Sequence, residues 1–203
     1  MFKRLYDVDD SLQKDLFLVK ELVTFERFCR DQSLWIEMKK CFHPESAVCI
    51  SWYKGSGQGF IEASEKMKGF APHKINHMVA RCNGDRAVAE CITSIQMRQK
   101  LQGQWYDLTS YARLHYRLVR ERDCWLILSL TGIYEKDTVE PAYCIGTPQP
   151  LDFDPEGYRP SYAALCYFFE KSGMAFYDDL PGIDRPEMVN VLYESSGKWL
   201  SEA

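Results

Sequence analysis

Residues 73–87 read HKINHMVARCNGDRA, and the fold is decided in this stretch. Polar and apolar side chains alternate along it until Asn83-Gly84, a dipeptide typical of a tight turn between two antiparallel strands. Because side chains alternate across a strand, every second residue shares one face, namely His73, Ile75, His77 and Val79. The stretch therefore predicts a β-hairpin with two titratable imidazoles on one partly apolar face.

Helices and strands are predicted in two blocks along the chain. The N-terminal block has apolar residues at helical spacing in three segments, which are 11–30, 34–42 and 60–70. Four strand-like segments then follow one another without a helix between them, which are 73–82, 86–98, 105–119 and 124–136. Long strands with short connections predict a strongly bent antiparallel sheet, with the N-terminal helices covering one face. The predicted fold class is therefore α+β.

The third predicted strand shows the two faces of this sheet most clearly. Its more apolar face is expected to point inward at the helices and consists of Tyr106, Leu108, Ser110, Ala112, Leu114 and Tyr116. The opposite face is polar, and we expect it to contact solvent or a second subunit, with His115 as a structural residue on it.

The composition changes after Glu140-Pro141, where loops rich in glycine and proline replace the strands. Two further helices are predicted over 161–172 and 186–200, but this part has too few apolar residues for a core of its own. We therefore predict one α+β domain over residues 1–140 and a helical extension over 141–203. The extension would dock on the domain, on a neighbouring subunit or over the mouth of a pocket.

The charge and cysteine patterns exclude several classes of function. With 25 basic and 29 acidic residues the net charge is -4, and no basic cluster interleaved with aromatic residues indicates a nucleic-acid surface. No apolar run has transmembrane length and the N-terminus does not read as a signal peptide, so a soluble cytoplasmic protein without membrane contacts is expected. The eight cysteines are scattered singly, without a Cys-x-x-Cys pair, which favours reduced thiols and no metal site.

Four short segments occur in an order that resembles the SnoaL-like group of the nuclear-transport-factor-2-like superfamily. They are FCRDQSLW at 28–35, CFHPESAV at 41–48, His73 at a fixed spacing before NGDRA at 83–87, and LVRERDCW at 118–125. The resemblance covers roughly residues 10–137. It implies a cystatin-like cone, in which a curved sheet wrapped by helices leaves an apolar cavity at its open end.

Scytalone dehydratase, a bile-acid dehydratase and polyketide cyclases are members of this group, and they act on hydrophobic ring systems by acid-base chemistry without a cofactor. The resemblance assigns the catalytic histidine of the dehydratases to His73 and its partner aspartate to Asp31. A carboxylate beside an imidazole fixes its tautomer and stabilises its protonated form, so a raised His73 pKa is expected. Four other catalytic positions of those enzymes differ here, being occupied by Glu26, Ile95, Met97 and Tyr134.

The resemblance implies a lyase or isomerase, dehydratase-like or cyclase-like, that needs no cofactor. Its substrate would be a hydrophobic polycyclic, polyketide, steroid or terpenoid molecule, and the protein would form a homodimer or homotrimer. Six further side chains are candidates for holding this substrate, namely Trp52, His77, Tyr106, Ser110, Tyr116 and Tyr134. The alternative hypothesis is a non-catalytic subunit of the same fold, which binds a small molecule or serves in an assembly.

Overall fold

The computed structural model describes residues 1–67, 69, 71–143 and 151–202 of the chain. Its α-helices are α1 (Asp10–Asp31), α2 (Trp35–Cys41), α3 (Gly57–Lys66), α4 (Ala163–Lys171) and α5 (Pro186–Ser201). Its strands are β1 (Phe42–Ile50), β2 (Tyr53–Ser56), β3 (His73–Asn83), β4 (Arg86–Leu101), β5 (Gln104–Glu121) and β6 (Cys124–Pro141). The strands form one sheet in the order β2-β1-β6-β5-β4-β3, which confirms the predicted α+β class.

The sheet is mixed and curved. Neighbouring strands are antiparallel except for β1 and β6, which run parallel. The prediction of a wholly antiparallel sheet is corrected at this pair, because β1 belongs to the N-terminal block and no local turn signal marks its pairing with β6. Register shifts interrupt the long β3, β5 and β6 pairings, and such irregularities increase the local twist and bend a sheet.

The helix starts follow from local capping. The Asp9 side chain accepts a hydrogen bond from the backbone N–H of Leu12 at 2.8 Å and so begins α1. The Ser56 hydroxyl accepts one from Gly59 at 3.1 Å, so α3 begins one turn earlier than the apolar pattern predicts. The predicted end of this helix includes Lys68 and Phe70, which lie outside the described residues.

A β-bulge in β3 changes which side chains share a face. Ile75 pairs with Thr93 and Met78 with Cys91, so two residues of β3 face a single residue of β4. Beyond the bulge the alternation is shifted by one, and Met78 turns toward the core. The expectation that His77 shares the face of His73 is therefore wrong, and His77 is exposed to solvent.

Two layers cover the concave face of the sheet. The inward residues predicted for β5 are all buried, as expected. However, only the half of the face that includes Leu114 and Tyr116 packs against the N-terminal helices. The half that includes Tyr106 and Leu108 packs against α4, which comes from the predicted extension. The extension therefore contributes to the interior of the cone, while the domain boundary at residue 140 stays a prediction.

The outer face of β5 is covered by α5 of the same chain around His115. His115 is 1 % exposed and lies between Glu90 of β4 and Ser196 of α5, with its Nδ1 3.0 Å from Glu90 Oε2 and its Nε2 2.9 Å from Ser196 Oγ. Serine, histidine and glutamate in this order resemble a hydrolytic triad, but Ser196 is fully buried and also accepts a hydrogen bond from Arg117 Nε at 2.9 Å. The cluster therefore fastens α5 to the sheet, and His115 is structural, although it is buried under α5 rather than open to solvent or a second subunit.

Within the described part of the chain, no helix combines the length and apolarity needed to span a membrane. All seven cysteines in that part are free thiols, while Cys144 lies outside it. Nor do three or more His, Cys, Asp or Glu side chains of these residues converge in a geometry that could hold a metal ion.

Candidate active site

Asp31 and His73 meet at the junction of α1 and β3. Asp31 Oδ2 accepts a hydrogen bond from the backbone N–H of His73 at 2.6 Å, and Oδ1 lies 2.9 Å from the ring atom Nδ1. Because an ionised carboxylate can only accept, Nδ1 carries the proton and Nε2 keeps its lone pair. Among the described residues Nε2 has no hydrogen-bond partner. The pair that the resemblance implies is thus brought together, with one ring nitrogen available.

His73 forms part of the wall of a mostly apolar cavity between the helices and the concave face. The described residues that line it are Arg27, Arg30, Ile50, Ser51, Trp52, Phe60, Met67, Ala71, His73, Ile95, Met97, Leu114, Tyr134, Leu165 and Phe169. The cavity has a volume of about 30 Å³, which is room for roughly two water molecules. A ring-sized ligand therefore requires that part of the wall move.

Two of the six predicted substrate-binding residues line this cavity. Trp52 and Tyr134 do so, and the Tyr134 hydroxyl accepts a hydrogen bond from the Ser51 backbone N–H at 2.8 Å. Tyr106, Ser110 and Tyr116 point inward but lie away from the cavity, and His77 is corrected above. The Tyr116 hydroxyl instead donates to Glu26, Tyr106 packs near α4, and Ser110 pairs with Asp137 across β5 and β6.

Arg27 and Arg30 are the charged wall residues that the sequence patterns did not identify. They precede Asp31 by four and one positions on α1, and Arg27 and Asp31 lie one helical turn apart. Once Asp31 is taken as a site residue, the helical spacing therefore indicates that Arg27 lies on the same side of α1. Leu165 and Phe169, also one turn apart, reach the cavity from α4, and no local signal in their sequence connects them with His73.

Glu26 and Arg27 form a buried ion pair behind the cavity. Glu26 is fully buried and Arg27 is 3 % exposed, and the guanidinium contacts both carboxylate oxygens, with Nε 2.5 Å from Oε2. The Tyr116 hydroxyl donates to Oε2 at 3.4 Å. Glu26 therefore compensates the charge of Arg27.

Burial controls the protonation of His73. It lowers the pKa of the imidazole to about 4, and the positive charges of Arg27 and Arg30 lower it too, while Asp31 acts in the opposite direction. The expected rise in the His73 pKa is therefore corrected, because desolvation and two guanidinium groups outweigh one carboxylate. At neutral pH the ring is uncharged, which is the form that can accept a proton.

We expect Asp31→Asn to lower the His73 pKa below its wild-type value, because the substitution removes the charge that favours the imidazolium. The measurement is an NMR titration of the histidine rings in both proteins, with the exposed His77 ring as an internal reference. A His73 signal that titrates identically in both proteins would contradict the pairing with Asp31.

In wild type, the free energy of unfolding should fall as the pH drops from about 6.5 toward 4, because the His73 ring takes up a proton in the unfolded chain before it does so in the folded chain.

Asp137 joins α4 to the sheet beside the cavity. Its Oδ2 accepts a hydrogen bond from the Leu165 backbone N–H at 2.9 Å, in the first turn of α4. Burial raises the pKa of Asp137 to about 6, although hydrogen bonds from the α4 backbone oppose the rise. Below about pH 4 this carboxyl is protonated in both the folded and the unfolded chain. As the pH rises from about 4 through 6, the carboxyl ionises readily in the unfolded chain but not in the folded chain, where it is poorly solvated, so stability is lost.

We therefore expect Asp137→Asn to stabilise the protein at pH 7.5 relative to wild type, with a smaller effect near pH 4.5. The gain should be roughly 1 to 2 kcal/mol, below the full value of the shift because the residue is partly exposed. Urea unfolding of both proteins at the two pH values measures it, with the exposed Asp7→Asn as control. A destabilised variant at pH 7.5 would show instead that the ionised carboxylate is a favourable cap for α4.

Comparisons with known proteins give relatives in sequence and in structure. No protein-family model matches the chain. Pea pathogenicity protein 2 from Fusarium vanettenii is 28% identical in an alignment 204 residues long, which covers 94% of this chain and 88% of that protein. A hexachlorocyclohexane dehydrochlorinase of type 2 superposes with a TM-score of 0.55 at 12% identity, covering 70% of this chain and 97% of its own. A putative scytalone dehydratase from Novosphingobium aromaticivorans superposes with a TM-score of 0.53 at 10% identity, covering 71% and 98%. At these identities the structural likeness is one of fold.

Proposed function

We propose that this chain, which has the cystatin-like cone of the nuclear-transport-factor-2-like superfamily, is a lyase or isomerase that works by His73/Asp31 acid-base catalysis. The observation that carries the proposal is the geometry of the pair: Asp31 fixes the tautomer of His73, and the free Nε2 belongs to a ring in the cavity wall. The substrate would be a hydrophobic ring compound of the polyketide, steroid or terpenoid class, because the cavity wall is mostly apolar.

In the proposed reaction, His73 Nε2 removes a proton from a carbon next to a carbonyl group or an aromatic ring. With a ketone, the electron pair of that C–H bond forms a C=C bond to the carbonyl carbon, the π pair of the C=O bond moves to the oxygen to give an enolate, and Asp31 stabilises the imidazolium. The enolate oxygen returns this pair when the second step occurs. In an isomerisation, the imidazolium returns the proton to another carbon. In a dehydration, it protonates a departing hydroxyl, which leaves as water with the electrons of the C–O bond. A ring with a low pKa is a strong acid once protonated, which suits both second steps.

The closed cavity must open for such a substrate. Met67, Ala71 and Met97 line both the cavity and an adjoining surface groove, whose other walls include Ser172 and Met174 just after α4. Methionine side chains are flexible and change rotamer easily. We place the entrance here, between the two methionines and the end of α4, with Leu165 and Phe169 moving together with that helix.

The test is exchange of carbon-bound hydrogen in heavy water. Apolar ketones with an acidic C–H are incubated with the protein in D₂O, and deuterium incorporation is followed by NMR or mass spectrometry. Wild type should exchange the proton next to the carbonyl, or convert the substrate, at a rate that falls to background in His73→Ala. A panel of polycyclic, steroid and terpenoid ketones with no exchange and no conversion would overturn the proposal.

One observation favours the alternative of a non-catalytic assembly subunit, namely the small volume of the cavity. For the other form of the alternative, a non-catalytic binding protein, an apolar ligand would bind tightly, His73→Ala would leave the affinity unchanged, and the ligand would be recovered unaltered. The homodimer or homotrimer implied by the resemblance stays a prediction, which sedimentation of the full chain would check.

A further inference from the structure

Arg30 is a buried cation in the cavity wall, and it shares its nearest carboxylate, Asp31, with His73. Its side chain is 9 % exposed. Its Nη1 donates to the Ala71 carbonyl at 3.3 Å, and its Nη2 contacts the Met67 sulfur at 3.5 Å. Both contacts are long, and a thioether is a weak acceptor. A guanidinium has five N–H donors, so most of the hydrogen-bonding capacity of Arg30 is unused by these two groups.

The nearest carboxylate to Arg30 is already engaged. Asp31 Oδ1 lies 3.5 Å from Arg30 Nη1, but the two Asp31 oxygens bind the ring and the backbone N–H of His73 at shorter distances. Arg27, three residues earlier, shows the contrast, because Glu26 binds it through both oxygens. Burial lowers the pKa of Arg30 despite the nearby Asp31, so the charge of this guanidinium is poorly compensated by the described residues.

We propose that Arg30 binds an anionic oxygen of the substrate, so that the substrate is an apolar ring compound carrying one carboxylate, enolate or phenolate group. The proposal rests on the proposed function of the same cavity and names its substrate class. Arg30 and His73 both line the cavity, so an oxygen held by the guanidinium places the neighbouring carbon within the same small space as the imidazole. Arg30 would then stabilise the charge that develops when His73 removes the proton.

The same interaction would make the His73 imidazole, which is a weak base in the ligand-free protein, more basic. An anionic oxygen beside Arg30 offsets the positive charges that disfavour the imidazolium. Binding of the anion is therefore expected to raise the His73 pKa toward neutrality, where a general base is most effective. The substrate would in this way prepare the base that acts on it.

The experiment compares 2-naphthoate with the neutral 2-acetylnaphthalene by calorimetric titration of the full chain at low ionic strength. Wild type should bind the anion at least tenfold more tightly than the neutral compound, because hydrogen bonds between charged groups are the stronger ones. Arg30→Met should abolish this preference, Arg30→Lys should keep part of it, and Arg81→Met at the surface should leave it unchanged. Unchanged anion preference in Arg30→Met, or no preference in wild type, would overturn the proposal.

Two further readouts separate this proposal from a structural role of Arg30 and from the proposed function. The His73 NMR titration should move to higher pH when naphthoate is added to wild type and should not move in Arg30→Met, whereas a purely structural arginine would give no shift in either. Should Arg30→Met fail to fold, Arg30→Lys carries the same comparison. His73→Ala is expected to keep the anion preference, so a protein that prefers the anion but exchanges no C–H would refute the catalytic proposal alone.

Discussion

His73→Ala is expected to lower turnover by roughly 100-fold to 10,000-fold, because it removes the nitrogen that takes and returns the proton. His77→Ala is the matched control, since His77 lies four residues further along β3, is exposed to solvent and does not line the cavity. The control should keep wild-type turnover. Thermal unfolding of both variants, measured beside the steady-state rates, shows whether each protein is folded.

Asp31→Asn extends this test to the second member of the pair. The amide keeps the size of the carboxylate but loses the charge that stabilises the imidazolium, so turnover should fall with a smaller loss than in His73→Ala. The loss should be in kcat more than in KM, because the pair acts on the reacting proton rather than on the apolar rings. Full activity in both variants would refute the assignment of the pair.

Glu26→Ala is expected to destabilise the protein by about 3 to 5 kcal/mol, which is the largest stability effect that we predict. The substitution leaves the guanidinium of Arg27 buried without its carboxylate, and it removes the acceptor of the Tyr116 hydroxyl. Chemical unfolding in urea measures the effect. Glu37→Ala is the control, since Glu37 pairs with Lys40 at 2.8 Å but their side chains are 44% and 66% exposed. An exposed pair of this kind contributes at most about 0.5 kcal/mol.

A double variant tests whether the loss of stability in Glu26→Ala is caused by the unpaired charge of Arg27 or by the changed shape of the side chain. In Glu26→Met combined with Arg27→Met, both charges are absent and apolar side chains of similar length fill the space. Most of the lost stability should return if the unpaired charge is the cause. A double variant as unstable as Glu26→Ala would show that the shape of these side chains matters more than their charges.

The parts of the fold that follow from local spacing could be predicted from the sequence. Alternation along β5 placed Tyr106 and Leu114 inward, and helical periodicity placed α1 within one residue at each end. The bulge in β3 could not be predicted from alternation, because a residue is recognised as extra only when the pairing with β4 is known. A shift of one residue is enough to turn His77 outward. The parallel pairing of β1 with β6 has no local signature either.

The candidate site was partly predictable for the same reason. The resemblance supplied Asp31 and His73, and the structure places their side chains 2.9 Å apart. The sequence did not indicate the low pKa of His73, because burial and the approach of Arg27 are tertiary properties. Nor did it indicate Phe169, which belongs to a helix almost a hundred residues after His73 in the chain and reaches the cavity only through folding.

The contact between α5 and the outer face of the sheet has a consequence for the order of events during synthesis. Glu90 and His115 emerge from the ribosome well before Ser196, so a folding sheet meets water on this face until the last helix is made. Phe2 packs on both His115 and Tyr193, which joins the beginning of the chain to the same late contact. Contacts of such large sequence separation form slowly. The part of the outer face around His115 therefore closes only after translation of α5.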